Sequence, residues 1–348
     1  MFRELQTFGV LLDIYRRVPA IYANFYGYDE VAHQLGVYDR ETARVLRGID
    51  GRIREIDACR HRFAGRRAYD LFVLSDHGMS PCTPFQERYG QTLGQFMTSL
   101  VEKRHASVVV DEGPKGPWRS NTEAQYLLQE LESIHANLSP RSQRLAGALR
   151  NFLARRVPID EEHEWDLSRQ RDLIVRSSGT ISLVYFNVTT QQMDLSEIEL
   201  VYPGLLRGLV EQPGLGLILG REHGEAMAMT VRGPRRLCDV KDPLIGDLLD
   251  NLPSADIAAQ QLARLVSFPS SGDLVLFGRW DSRGHTIAFE PHWATHGGLG
   301  GDQNCPFMFV PSHVGWDVTG ITSPEQLYPL FMERYGAPAA AVHNGPTI

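Results

Sequence analysis

Asp29 and His33 stand four residues apart in the run Tyr28-Asp29-Glu30-Val31-Ala32-His33. On a helical turn that spacing puts both side chains on one face, within reach of a single ion. A second run, Ser75-Asp76-His77-Gly78-Met79, sets a carboxylate directly beside an imidazole. Both groups are metal ligands, and Gly78 allows a tight turn without a Cβ clash. A third histidine, His296, comes late in Ala294-Thr295-His296-Gly297-Gly298-Leu299-Gly300-Gly301. A glycine-rich loop of this kind lets backbone come close to a ligand or metal. Taken singly, Asp29/His33 also reads as a surface helix pair and His296 as a loop histidine. Taken together, the three runs point to carboxylate and imidazole ligation of metal.

The elements that would position these residues follow from periodicity. Residues 2–17 read as a helix with Leu5, Phe8, Leu12 and Tyr15 at helical spacing. Residues 20–25 form a short apolar, aromatic run that suits a buried strand. Asp39 can cap the next helix, whose apolar face carries Leu46, Ile49, Ile53 and Ile56. Residues 69–74 read as another buried strand, ending at Ser75-Asp76-His77-Gly78. Strand, helix, strand implies parallel pairing with a right-handed crossover. Sites then fall at strand C-termini.

Residues 85–172 read as helices and loops, with one helix over 121–135 and another opened by Ser139 and Pro140. The second is basic (Arg141, Arg144, Arg150, Arg155, Arg156), with Leu145, Leu149, Phe152 and Leu153 on its apolar side. It reads as a solvated helix packed on a domain, or as a surface at 139–156 that touches anionic lipid or a partner. Strand signals return at 181–186, 215–219, 226–231, 274–277, 286–289 and 306–310. Helices are expected near 195–209 and 256–266, and a last one opens at Ser323-Pro324. The expected fold class is α/β, a mostly parallel sheet between helices with a helical insertion. Three parts are expected: 1–84 and 173–348 as the core with cap-like elements, and 85–172 as the insertion.

The net charge is −7, which argues against general nucleic-acid binding. The apolar runs are far shorter than the roughly 20 residues a membrane span needs, and no signal peptide opens the chain. A cytoplasmic or membrane-associated protein is expected. Cys59, Cys82, Cys238 and Cys305 are scattered and read as isolated thiols, consistent with a reducing compartment.

The order of these motifs resembles the alkaline phosphatase superfamily, and especially its type I phosphodiesterase/nucleotide pyrophosphatase branch. That branch shows an Asp-x-x-x-His pair, then Asp-His-Gly, then a late His-Gly. Here these are Asp29/His33, Asp76/His77 and His296. The resemblance runs from about residue 20 to 312 and implies a hydrolase of phosphoric esters with two zinc ions, manganese being an alternative. By the same resemblance Asp29, His33 and His296 would hold one ion, and Asp76 and His77 the second. Two such ions, roughly 4 Å apart, clamp an in-line displacement at phosphorus. Asn24 and Tyr26 are candidate substrate contacts.

The sequence also departs from the branch. The branch takes a further Asp and a Thr or Ser nucleophile from ahead of the Asp-x-x-x-His motif. Here fewer than thirty residues precede Asp29. Asp13 and Thr7 lie within the first helix, and neither is assigned the role. Ser75, Ser80, Thr83 and Thr295 lie close to the ligands in sequence and read as loop hydroxyls. The expectation is a truncated chain with weak or no turnover, whose sheet would show open backbone groups and exposed apolar faces. The alternative is a non-catalytic metal-binding or interaction module that retains the fold. Of the remaining residues, His292 reads as a neighbour of the ligands or as a pair with His296. His285 and His313 read as structural or exposed, and Asp302 as support for the glycine loop. Lys115, Trp118 and Arg119 read as a substrate-side loop.

Overall fold

The computed structural model of the protein describes residues 2–101, 110–111 and 173–336. The expected helices at 121–135 and 139–156, and Lys115, Trp118 and Arg119, lie outside the described residues.

Three helices open the chain: α1 (Phe2–Arg16), α2 (Tyr28–Leu35) and α3 (Arg40–Arg62). Asp39 caps α3 by accepting a hydrogen bond from the Glu41 N–H. The face that α1 buries is not the expected one. Thr7, Val10 and Ile14 are buried, while Leu5, Phe8 and Tyr15 are exposed. Apolar residues ring this helix, so spacing alone does not choose the buried stripe. Val10, Ile14 and Ile56 form a small cluster, and Ile21, Phe25, Tyr69 and Leu71 pack against it. On α3, Ile56 is buried but Leu46 points out.

Neither expected N-terminal strand forms as read. Residues 20–25 form no strand and pair with none among the described residues, and Tyr22 is exposed. Of residues 69–74 only β1 (Val73–Leu74) is a strand. It pairs antiparallel with β12 (Met308–Phe309), so no parallel crossover links 20–25 to 69–74. An apolar run becomes a strand only where a neighbour completes its hydrogen bonds. Ile21 and Phe25 instead spend their apolar surface on the helical cluster.

The chain continues through β2 (Ser80–Pro84), α4 (Phe85–Tyr89), α5 (Leu93–Val101) and β3 (Val110–Asp111). Then follow β4 (Leu173–Ser178), β5 (Ile181–Phe186), α6 (Leu195–Val201) and α7 (Leu205–Val210). After them come β6 (Leu215–Glu222), β7 (Glu225–Thr230), β8 (Gly233–Arg236), α8 (Pro243–Leu248) and α9 (Ala255–Ser267). The last part holds β9 (Leu274–Gly278), β10 (Thr286–Ala288), β11 (Ala294–Thr295), β12 and α10 (Leu327–Tyr335).

The main sheet has seven strands in the order β3-β4-β5-β9-β6-β7-β8. Only β3 and β4 run parallel; the other five pairings are antiparallel. This corrects the expectation of a mostly parallel sheet, while the mixture of helices and sheets stands. The alternation of β9 shows how the sheet is filled. Leu274 and Leu276 face one cluster with Leu93 and Met97 of α5, Ile198 of α6 and Leu209 of α7. Val275 and Phe277 face the other, with Ile245 of α8 and Leu262 of α9. A bulge between Leu215 and Leu217 shifts the register of β6, so these two, although two apart, fall into different clusters. No helix of the described residues is long and apolar enough to cross a membrane.

Candidate metal centre

The candidate ligands come from opposite ends of the chain and meet through a small three-stranded sheet, β10-β2-β11. Strand β2 follows directly on Asp76-His77-Gly78, and β11 leads directly into His296. Their register pairs Ser80 with Thr295 and Pro81 with Ala294. Helix α2 docks on this sheet through Ala32, which is fully buried with Met79 and Ala294. A small side chain there lets the helix come close. The Trp293 N–H also donates to the His33 carbonyl at 2.8 Å.

Within that frame His33 Nε2 lies 3.4 Å from Asp29 Oδ2, and His296 Nε2 lies 3.3 Å from Asp29 Oδ1. These are longer than charge-assisted hydrogen bonds. Around an ion with bonds of about 2.0–2.1 Å, tetrahedral neighbours stand about 3.3–3.4 Å apart. Asp29 Oδ1 is moreover buried and accepts no hydrogen bond. A carboxylate set between two imidazole nitrogens, with one oxygen accepting no hydrogen bond, fits a divalent cation. The three ligand atoms lie within 4.8 Å of one another. Burial alone would raise the Asp29 carboxyl, but the imidazoles of His296 and His33 outweigh it and hold the group well below the usual carboxylate range.

Two backbone carbonyls orient the imidazoles. His33 Nδ1 is 2.8 Å from Ala294 O, and His77 Nδ1 is 2.8 Å from Gly78 O. With Nδ1 donating to a carbonyl, Nε2 is the nitrogen left to serve as the ligand atom in both rings, with loss of any proton it carries, as in metal-bound histidines. The His77 ring stacks on His296, with centroids 3.7 Å apart and planes 15° from parallel. The structure therefore brings His77 to the first three residues. Asp76 Oδ1 lies 3.6 Å from His77 Nε2. The Asp76 side chain is largely exposed, and its Oδ1 accepts from the His77 N–H.

The loop bearing His296 is held by contacts that the motifs did not reveal. Gln303 is buried. Its Oε1 accepts from the Gly298 N–H, its Nε2 donates to the Leu299 and Gly300 carbonyls, and its own N–H donates to Ser80 Oγ. Gly78 donates to Gln303 O at 3.1 Å, and a Cβ on Gly78 would lie 1.8 Å from Asp302 O. The close approach expected at Gly78 is thus to this loop. Asp302 supports it through its main chain, since Cys305 N–H also donates to Asp302 O. The turn joining β4 to β5 anchors the same region: Glu290 accepts from the Gly179 N–H, and Phe289 N–H donates to Gly179 O. Nothing in the sequence marks Gln303 or Glu290, because their partners exist only once the loop has closed.

Of the other candidates, Asn24 and Tyr26 are exposed, and the Asn24 carbonyl accepts from the Gln6 side chain. Each nearby hydroxyl is engaged. Ser75 Oγ accepts from Phe307 N–H, Ser80 Oγ from Gln303 N–H, Thr83 Oγ1 lies 3.2 Å from His285 Nε2, and Thr295 Oγ1 donates to His296 O. Thr7 is tied to Arg3 O inside α1. His313 pairs with Asp70 at 2.8 Å. None of the four cysteines is in a disulfide among the described residues. A second group, Asp194, Glu222 and His223, also lies close together. Its carboxylates already serve as acceptors: Asp194 caps α6 and receives the His223 N–H, and Glu222 receives the Ser196 N–H and hydroxyl.

The model of the type I phosphodiesterase / nucleotide pyrophosphatase family matches residues 5–179. This span includes Asp29, His33, Asp76 and His77 and ends before His296. No curated protein and no solved structure matches the chain. With its two N-terminal motifs inside the match and His296 folded against them, the chain belongs to the type I phosphodiesterase / nucleotide pyrophosphatase family.

Proposed function

We propose that this chain is a metal-dependent domain for phosphoric diesters or pyrophosphates, with one ion held by Asp29, His33 and His296 and a second at Asp76 and His77. The observation that carries the reading is the Asp29 carboxylate set between the His33 and His296 imidazoles, with its Oδ1 buried and accepting no hydrogen bond. Nitrogen and oxygen donors of this kind suit zinc, with manganese also compatible. Bound divalent ions would polarise a phosphoryl oxygen and offset the charge that builds on it during displacement. The chain's own residues supply ligation and orientation. Ala294 O and Gly78 O fix the tautomers of His33 and His77, and Gln303 holds the loop that presents His296.

The step that attacks phosphorus needs a nucleophile. Ser75, Ser80, Thr83 and Thr295 are all committed to structural hydrogen bonds. We infer weak or no turnover by these residues alone. The same observation favours a second reading, a metal-binding module that keeps the fold without the reaction.

The test is metal content together with hydrolysis of a chromogenic phosphodiester, in the parent and in His33→Ala and His77→Ala. Stoichiometric zinc that is lost in His33→Ala, with slow turnover, supports the proposal. Rapid hydrolysis that survives His77→Ala would sink it. Metal bound at full stoichiometry with no hydrolysis selects the module.

A further inference from the structure

The metal reading leaves one buried imidazole at the centre without a task. His292 is 7% exposed, and its ring lies against His33, with centroids 4.3 Å apart and planes at 45°. His33 in turn meets His296 at 5.0 Å, and His296 meets His77 at 3.7 Å. The four rings form one continuous row, with His292 at its inner end. His292 is not one of the grouped ligands. Its Nδ1 is buried without a hydrogen-bond partner, and its Nε2 stands 3.9 Å from Glu290 Oε2, beyond hydrogen-bond length. Neither nitrogen makes a strong bond that would explain the burial of a polar ring.

What His292 does have is a fixed place. Its N–H donates to Glu290 O at 2.8 Å, and its carbonyl accepts from Cys82 Sγ at 3.1 Å. The next two residues grip His33 directly, Trp293 at the main-chain carbonyl and Ala294 at Nδ1. A hydrogen bond at Nδ1 fixes a point on the His33 ring, and the plane of the ring is set by what packs against its faces. Coordination needs the Nε2 lone pair aimed to within about 10–20°. A rigid flat neighbour such as the His292 ring supplies a restraint of that kind.

We propose that His292 is a positioning residue of the Asp29/His33/His296 centre, its ring setting the plane of His33 so that Nε2 faces Asp29. This rests on the metal-centre reading. It makes the shape of the His292 ring the active property, with its nitrogens dispensable. A phenyl ring at this position should therefore do the same work, and it would remove the unpartnered buried Nδ1 as well.

The experiment measures zinc affinity by chelator competition, and the visible spectrum of the cobalt-substituted protein, for the parent, His292→Ala, His292→Leu and His292→Phe. Far-UV circular dichroism and melting of each metal-free form check folding. His292→Ala and His292→Leu should lose about 10–100-fold in affinity, the range for residues that support a ligand. Their cobalt spectra should change, and His292→Phe should restore both readouts. If His292→Ala does not fold, His292→Leu, which fills the space without a flat face, carries the same comparison. Parent-like affinity in both overturns the inference. So does a His292→Phe as weak as His292→Ala, because it would give the nitrogens a direct role. His33→Ala separates the two levels. If it binds zinc like the parent, the metal-centre reading has failed. If it loses zinc while His292→Ala and His292→Leu keep it, only the role of His292 has failed.

Discussion

The seven-stranded sheet and the shelf that carries the candidate ligands are built on different principles. The sheet is filled on both faces. Leu217, Leu219, Val275 and Phe277 lie on one side, and Leu173, Val184, Leu274 and Leu276 on the other, all nearly or fully buried. Where α2 meets the shelf, the buried apolar cluster is small: Ala32, Met79 and Ala294. Its two-residue ladder β1/β12 leaves Leu74 44% and Phe309 67% exposed. What organises it is hydrogen bonding to Gln303, Ala294 O and Gly78 O, and the contact of bare glycine backbone with the His296 loop. Apolar burial is strong and indifferent to direction, which suits a scaffold. Hydrogen bonds are weaker and directional, which suits the aiming of ligand lone pairs.

If the division is real, stability and metal affinity should respond to different substitutions. Leu219→Ala removes a fully buried side chain from one face of the sheet. It should cost about 2–5 kcal/mol in urea unfolding, with unchanged zinc affinity of the folded protein. An equal loss of affinity would break the comparison. Gly78→Ala acts in the opposite sense. Its Cβ would meet Asp302 O, and backbone cannot yield as a side-chain tip can. The expected stability loss is about 1–3 kcal/mol, with zinc affinity falling as His77 and the His296 loop are pushed apart. Gln303→Ala orphans the Gly298 N–H and two carbonyls. It should cost about 1–3 kcal/mol and loosen the loop, which amide exchange at Gly298 would read directly.

The smallest effect lies away from both regions, where the last helix is clasped by Asp70. The Tyr335 hydroxyl hydrogen-bonded to that carboxyl, with His313 on its other oxygen, holds it below the usual carboxylate range. A group whose folded value is lowered contributes stability above its unfolded value, near pH 4, and loses it as pH falls through the folded value. Asp70→Asn should therefore be less stable than the parent at pH 6. The gap should close on acidification below pH 4, as followed by melting across that range.

The parts legible in the sequence were those fixed by residue type over a short span. Asp29 and His33 needed one helical turn. The strands at 181–186, 215–219 and 274–277 announce themselves as dense apolar runs because apolar side chains pack on both faces of the sheet. Pairing is another matter: β5 lies beside β9, some ninety residues later, and no local pattern states whether such neighbours run parallel. Residues 20–25 have the composition of a strand but lack a partner. On α1, apolar residues on every side hid which stripe would be buried. His292 stands out in the sequence only by its spacing from His296, and its contact with His33 depends on how residues 290–296 fold back over α2. Gln303 and Glu290 were invisible for the same reason.

His33 and Ala294 are 261 residues apart along the chain, and they are joined by a single hydrogen bond at the candidate centre. An ion shared by Asp29, His33 and His296 would turn that contact into a clasp closing almost the whole described chain into a ring. Loop-closure entropy grows with the logarithm of ring size, so few placements of three ligands in this sequence could restrict the unfolded chain more. Metal at this site would then act as a fastener as well as a reagent. Whatever it does for phosphate chemistry, its removal would leave these two stretches held by the β2/β11 ladder and the Trp293 contact with His33.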